Sequence, residues 1–318
     1  MGDKGIQKKS AVKKLTSNRQ FGIVLVLAVM VIFLSIVSSV FLTPGNLLSV
    51  LNQASVKGVV AVGMTFIIIM GGIDLSVGSI LSLSAMFTAD ILMKQGIGAL
   101  PTALLAALAV GLLCGFVNGF LIAQFDLQPF LVTMGTMNVF RGLDYLYSGA
   151  ISIRGLPKEW IAFWNSSVPW AAVIFCVIIL IMLFVIKNTR YSRYVYAIGG
   201  NEDATMLSGI NTRKIKIITY MINGLLCALA GILYVGRMAS AEANAGMGYE
   251  LDAIAAAAIG GASLAGGRGS MIGTLLGTII LAVLANGLTL LSVQSFYQVI
   301  MTGAIIIIAI LVDKFTNQ

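Results

Sequence analysis

The chain has no histidine and only three cysteines in 318 residues. Without imidazole, the commonest metal ligand and the commonest general base are both missing. Cys114, Cys176 and Cys227 each sit inside an apolar run, with no C-x-x-C or other paired spacing, so they are expected to pack rather than to bridge or to bind metal. Charge is scarce as well: Asp and Glu number 12, and charged residues make up 10% of the chain, against about 25% in an ordinary soluble domain. With no histidine, no paired thiols and no clustered acids, the chain is not expected to be an enzyme. The G-x-x-x-x-G-K-[ST] phosphate loop is also missing, so the sequence offers no site for ATP hydrolysis.

What fills the chain instead is apolar. A hydrophobic content of 58% and a mean hydropathy of +0.99 mark an all-α polytopic membrane protein. The net charge of +8 does not indicate nucleic acid, because the basic residues gather in short segments beside apolar runs, as the positive-inside rule places them. Lys4, Lys8, Lys9, Lys13, Lys14 and Arg19 precede the first apolar run, and Lys187, Arg190, Arg193, Arg213, Lys214 and Lys216 mark an interior loop. This puts residues 1–20, the loop 187–216 and the terminus 313–318 on the cytoplasmic side of one transmembrane domain, 21–312, of about ten helices. Trp160, Trp164 and Trp170 fall in or beside an outside loop, 148–168, where interfacial anchoring explains them better than sugar stacking.

In Gly71-Gly72-Ile73-Asp74-Leu75-Ser76-Val77-Gly78-Ser79 a carboxylate and a glycine cluster lie between two apolar segments. The run before it, 58–70, is about 13 residues or roughly 20 Å of helix, too short for a hydrocarbon core of about 30 Å. Residues 46–55 are therefore expected as a separate interfacial helix. The span is expected to be discontinuous near 71–78, with Asp74 and Ser76 capping a helix that restarts at Leu75. Asp74 is either that cap alone or a cap that also lines a translocation path. Gly266-Gly267 followed by Gly273 echoes Gly71-Gly72 followed by Gly78 at one constant offset, without the acid. The echo predicts a second discontinuity at 266–273 and a parallel internal repeat, chance recurrence among 35 glycines being the alternative.

Within the interior loop, Gly200-Asn201-Glu202-Asp203-Ala204-Thr205-Met206-Leu207-Ser208-Gly209-Ile210 reads as a short helix capped by Asn201 and closed by Gly209. It either offers Ala204, Met206 and Leu207 to a cytoplasmic partner or lies on the membrane surface. Asn118, Asn138 and Asn286 are candidate pathway groups, or else bonds between helices. Arg141, Asp144 and Glu250, near outer ends of spans, are candidates for docking an outside protein, or plain salt bridges.

Several stretches together carry a resemblance: Ala61-Val62-Gly63-Met64-Thr65, residues 71–79, Phe140-Arg141-Gly142, residues 194–210, Gly248-Tyr249-Glu250-Leu251-Asp252-Ala253-Ile254-Ala255-Ala256, and Leu264-Ala265-Gly266-Gly267-Arg268-Gly269. Over nearly its whole length the chain resembles permease subunits of bacterial ATP-binding-cassette importers for monosaccharides, the branch that includes ribose permeases. The resemblance implies a pore made with a second permease copy, as a homodimer, and import of ribose or a similar aldose. It implies a separate ATPase that carries ATP and Mg and binds the helix at 200–210, and an extracytoplasmic sugar-binding protein. It also implies residence in the bacterial cytoplasmic (inner) membrane, both termini inside. No cofactor, metal or nucleic acid is expected on this chain. An ion-coupled secondary sugar carrier, or another small-solute channel, is the alternative; a carrier would call for several intramembrane acids, whereas Asp74 and Asp90 stand almost alone. Reconstituted by itself in liposomes, the chain is expected not to accumulate sugar down a proton or sodium gradient; accumulation there overturns the ATP-driven reading.

Overall fold

A computed structural model describes residues 19–294, 296–301, 303, 304 and 307. The basic N-terminal stretch before residue 19, the 313–318 terminus and much of the segment 295–312, expected as a last span, lie outside them. In chain order the helices are α1 (Arg19–Val37), α2 (Pro44–Ile69), α3 (Val77–Gln95), a 3-10 turn (Ile97–Ala99), α4 (Leu100–Phe125), α5 (Pro129–Ser148) and α6 (Lys158–Trp164). They continue with α7 (Trp170–Asn188), α8 (Arg190–Gly200), α9 (Glu202–Leu207), α10 (Thr212–Met238), α11 (Tyr249–Ile259) and α12 (Met271–Leu290). Among the described residues the only β-type pairing is an isolated antiparallel bridge between Ile153 and Ala241.

The all-α membrane architecture is as expected: 7 described helices, namely α1, α2, α3, α4, α7, α10 and α12, are long and apolar enough to cross a bilayer. A count of ten would add α5, which is more polar, the 11-residue α11 and the segment after residue 295. Proline stands in the first turn of α2, α4 and α5, where its missing N–H costs no hydrogen bond.

One expectation is corrected. Residues 46–55 are not a separate helix but the opening turns of α2, whose 26 residues reach about 39 Å, enough to span. Asn52, Gln53 and Lys57 interrupt hydropathy without interrupting the helix. Lys57 meets Asp252 of α11 at 2.6 Å, and Gly58 is covered by the Phe175 ring of α7 instead of forming a break.

Helix α3 carries Ser79, Ser82, Ser84 and Thr88, all fully buried, and sits at the centre of the bundle, as its polarity requires. Its neighbours α4 and α10 cross in close antiparallel contact through Gly111, Gly115 and Gly119, spaced four apart. A side chain on Gly115 would strike the Tyr220 carbonyl oxygen, and one on Gly119 would lie 2.8 Å from the Ile217 Cα. Small residues let the two backbones approach, which is how helices associate where lipid removes the hydrophobic drive. Outside this core, α1 is only 11% buried and rests on α2 and α12. Leu34 packs over Gly287, and Gln20 Nε2 donates to Ser270 Oγ at 3.2 Å. Trp164 of α6 lies over Gly236 near the end of α10, Trp160 is buried, and Trp170 stacks on Phe163 at 4.9 Å, so these rings pack α6 onto the bundle.

Overpacking a close helix contact costs about 1–3 kcal/mol and sometimes more. Gly115→Leu is therefore expected to abolish the monodisperse gel-filtration peak of the detergent-solubilised chain, while Gly22→Leu on the open face of α1 keeps it. Equal behaviour of the two variants would contradict the α4–α10 contact.

Candidate functional site

Helix α2 ends where Gly71 enters the left-handed region (φ +90), so that the N–H groups of Gly71 and Gly72 close onto the carbonyls of Ile68 and Ile67, each at 2.9 Å. Helix α11 ends in the same way at Gly261 (φ +89), with Gly261 and Ala262 donating to Ala258 and Ala257, each at 2.9 Å. The structural counterpart of Gly71 is thus Gly261, and the sequence pairing of Gly71-Gly72 with Gly266-Gly267 is corrected. The second linker is longer, and its extra residues form a small loop closed by Ser263 N–H on the Arg268 carbonyl at 2.9 Å. Downstream the echo holds, since Gly78 and Gly273 sit just inside α3 and α12, after Ser76 and Ser270. α2 and α11 run side by side in the same sense, joined by the Lys57–Asp252 pair along their length and by Gly267 N–H on the Ile69 carbonyl at 2.8 Å at their ends.

The end of α2 and the linker after α11 meet α8. A Cβ on Gly199 would collide with the Ile69 carbonyl and lie 2.6 Å from the Gly267 nitrogen; one on Gly266 would lie 2.7 Å from the Gly199 oxygen and 3.0 Å from the Gly71 Cα. Main chain therefore touches main chain at a three-way junction. Tyr196 of α8 adds a bond from its hydroxyl to the Gly269 carbonyl at 2.8 Å, and burial raises its phenol pKa, which keeps the donor protonated. Directly beyond Gly200 comes the short helix expected there, α9. Asn201 accepts from Ala204 N–H at 2.8 Å, and Gly209 (φ +82) closes the end on Met206, with Ile210 on Thr205. Ala204, Met206 and Leu207 face outward, Leu207 being 87% exposed, while Glu202 pairs with Lys216 of α10 at 2.6 Å.

The linker between α2 and α3 climbs inside the protein. Asp74 is fully buried; its Oδ1 accepts from Ser76 N–H at 2.8 Å and Ser76 Oγ at 2.6 Å, and its Oδ2 accepts from Asn223 Nδ2 at 2.8 Å. Ser76 Oγ accepts from Asn118 Nδ2 at 2.7 Å, and Asn118 Oδ1 accepts from Thr136 at 2.6 Å. Thr133 of α5 accepts from Leu75 N–H at 3.1 Å. Helix α3 consequently starts at Val77 rather than Leu75, and Asp74 binds the linker to α10 as well as turning it. Asn118 is a bond between α4 and the linker, Asn286 exchanges amide bonds with Asn46 at 2.8 and 3.0 Å, and Ser79 donates to the Ser76 carbonyl. Of the three candidate asparagines only Asn138 is exposed.

Sequence reasoning missed a second intrusion. Residues 239–248 turn back along α3. The Glu242 carbonyl accepts from Ser82 at 3.0 Å, and the Gly246 carbonyl lies against Gly78. Ala241, Ala243 and Ala245 are buried, and from Ala243 on the segment is a run of turns, with Ala245 N–H on the Glu242 carbonyl at 2.9 Å and Met247 N–H on the Asn244 carbonyl at 3.3 Å. Arg141 and Asp144 do not present a docking surface. Arg141 Nη1 donates to the carbonyls of Ala243 (2.6 Å) and Ala245 (2.9 Å), and the fully buried Asp144 accepts from Ser82. Glu250 accepts from Gly248 N–H at 3.1 Å, where α11 begins.

The Asp74 network separates two roles for the carboxylate. Asn223 Oδ1 is buried without a partner, so in Asp74→Asn the Asn223 amide can turn over and accept from the new amide. Asp74→Ala leaves Asn223 and Ser76 facing nothing, at a cost of about 1.5–3 kcal/mol for each lost bond to a charge. Thermal unfolding in detergent is expected to show Asp74→Asn close to wild type and Asp74→Ala clearly destabilised; equal losses would mean that the charge itself, not the bonding, is required.

A family model described as "Branched-chain amino acid transport system / permease component" matches residues 46–310. The ribose import permease protein RbsC of Escherichia coli (strain K12) is 44% identical over 295 residues, 91% of either chain. RbsC of Bacillus subtilis (strain 168) is 41% identical over 303 residues, 93% of either chain. The D-allose transport system permease protein AlsC of Escherichia coli (strain K12) is 36% identical over 303 residues, 94% of this chain and 93% of its own. No solved structure matches the chain. The match across the junction, the intruding segments and the capped helix shows that this chain belongs to the branched-chain amino acid transport system / permease component family.

Proposed function

We propose that this chain is the membrane-spanning subunit of an ATP-driven, binding-protein-dependent importer of ribose or a similar aldose. The full-length similarity to ribose and allose permeases supports the substrate class. The observation that carries the mechanism is the contact of Gly199 with Ile69 and Gly267, because it joins the exposed α9 to both linkers at once. An ATPase gripping Ala204, Met206 and Leu207 would move α8, and α8 would displace the end of α2 and the linker after α11 together. A second permease copy completes the pore, and a sugar-binding protein delivers the ligand from the outside. Alternating access then follows as a switch between two packed arrangements rather than as continuous bending.

Because Met206 is 56% and Leu207 87% exposed, replacing them should not affect folding. Met206→Asp with Leu207→Asp is expected to leave membrane insertion unchanged, to remove co-purification with the ATPase, and to reduce ATP-driven uptake of labelled ribose to background. Retained association and uptake in that variant would show that α9 is not the ATPase contact.

A further inference from the structure

Lys57 lies about 18–20 Å from either end of α2, which places it near the middle of a span. Charge at that depth is costly unless it faces protein or water, and it marks function by default. Its ammonium meets Asp252 at 2.6 Å and stands 5.1 Å from the centroid of the Tyr249 ring, yet the Lys57 side chain remains 40% exposed. A bond serving only to hold α2 against α11 would leave less of the lysine open. Lys57 lines a cavity of about 430 Å³, bounded also by Tyr249 and Asp252 of α11, by Leu281, Leu284 and Leu288 of α12, and by Gln298, Val299 and Gly303 of the segment after residue 295. Met247 and Gly248, the last residues before α11, belong to the lining as well.

The chemistry of the lining is specific. An ammonium donates, a carboxylate accepts, an aromatic residue lies beside them, and the α12 leucines with Gln298, Val299 and Gly303 complete the lining. Ligand sites of this size are mostly apolar with a few convergent polar groups. A lipid chain would satisfy the leucines but leave the ion pair exposed to hydrocarbon. A polyhydroxylated ring satisfies both, with hydroxyls toward Lys57 and Asp252 and C–H faces toward Tyr249 and the leucines. We infer that the cavity over Lys57, Asp252 and Tyr249 is a contact site for a neutral monosaccharide passing through the bilayer, an inference that rests on reading the chain as a sugar permease.

The test uses D-ribose as probe and the full chain carrying Cys176→Ala, which removes the exposed native thiol. In a Tyr249→Cys variant of that chain, a small charged methanethiosulfonate should modify the introduced thiol, and excess D-ribose should slow the modification at least fivefold. No modification means a lipid-filled cavity, disulfide-linked dimers on oxidation mean that a second copy covers it, and absence of protection means no sugar contact; each overturns the inference. In the complete assembly, Asp252→Asn should lower the ribose moved per ATP hydrolysed about tenfold, and the exchanged pair Lys57→Asp with Asp252→Lys should not restore it. Restoration would show that the pair only holds two helices together, and the inference would fall. If the wild-type assembly imports no sugar, the functional reading itself fails; import with an unprotected thiol defeats the inference alone.

Discussion

Inside a bilayer no water is available to main-chain N–H and C=O groups, and this constraint governs where the few polar residues of the chain stand. A continuous helix satisfies its own backbone, so α4 and α7 need almost no polar side chains. The linker 70–76 and the turn segment 239–248 have no such continuous ladder. They are served from neighbouring helices, by Thr133, by Ser82 and by Arg141, whose guanidinium holds two successive carbonyls on one side of the intruding chain. Residues that look like a scatter of solute-binding groups are largely the hydrogen-bond partners of irregular backbone.

That arrangement also explains why irregular backbone is present at all. A chain of unbroken helices would be rigid along its length, and α9 would have nothing to act on. Here the end of α2 and the linker after α11 are bound to each other and to α8 main chain to main chain, Gly267 N–H on the Ile69 carbonyl and Gly199 against both. In the proposed mechanism, displacement at this junction would change the position of α3 and α12 relative to the helices before them. The coupling is geometric, and it needs no charged residue at the junction itself.

The fold class, the two glycine discontinuities and the capped helix at Asn201–Gly209 were legible in the sequence because each depends on a local rule: hydropathy, left-handed backbone, side-chain capping. What was not legible depended on tertiary partners. Lys57 stands just before the apolar run 58–70 and made that run look too short to span, and only Asp252, far along the chain, shows why the helix tolerates it. Arg141 and Asp144 looked like an exposed pair because they share one helix face, but the chain that covers them is the 239–248 segment, whose alternation of alanine with polar residues was too short to declare itself. The register of the repeat slipped for a related reason. Gly266 and Gly267 match the motif by composition, whereas the helix-ending position is identified by its hydrogen bonds at Gly261.

The peripheral position of α1 bears on how the protein is made. It is the first described helix to leave the ribosome, but its polar contact at Gln20 is with Ser270, 250 residues later, and Leu34 seats on Gly287. At about 5–20 residues per second, synthesis separates the two by roughly 10–50 s. During that interval α1 sits in lipid beside α2, and docks only when α12 arrives. The seat of α1 is thus made by residues synthesised late, and a chain stopped before Ser270 would lack both of these contacts.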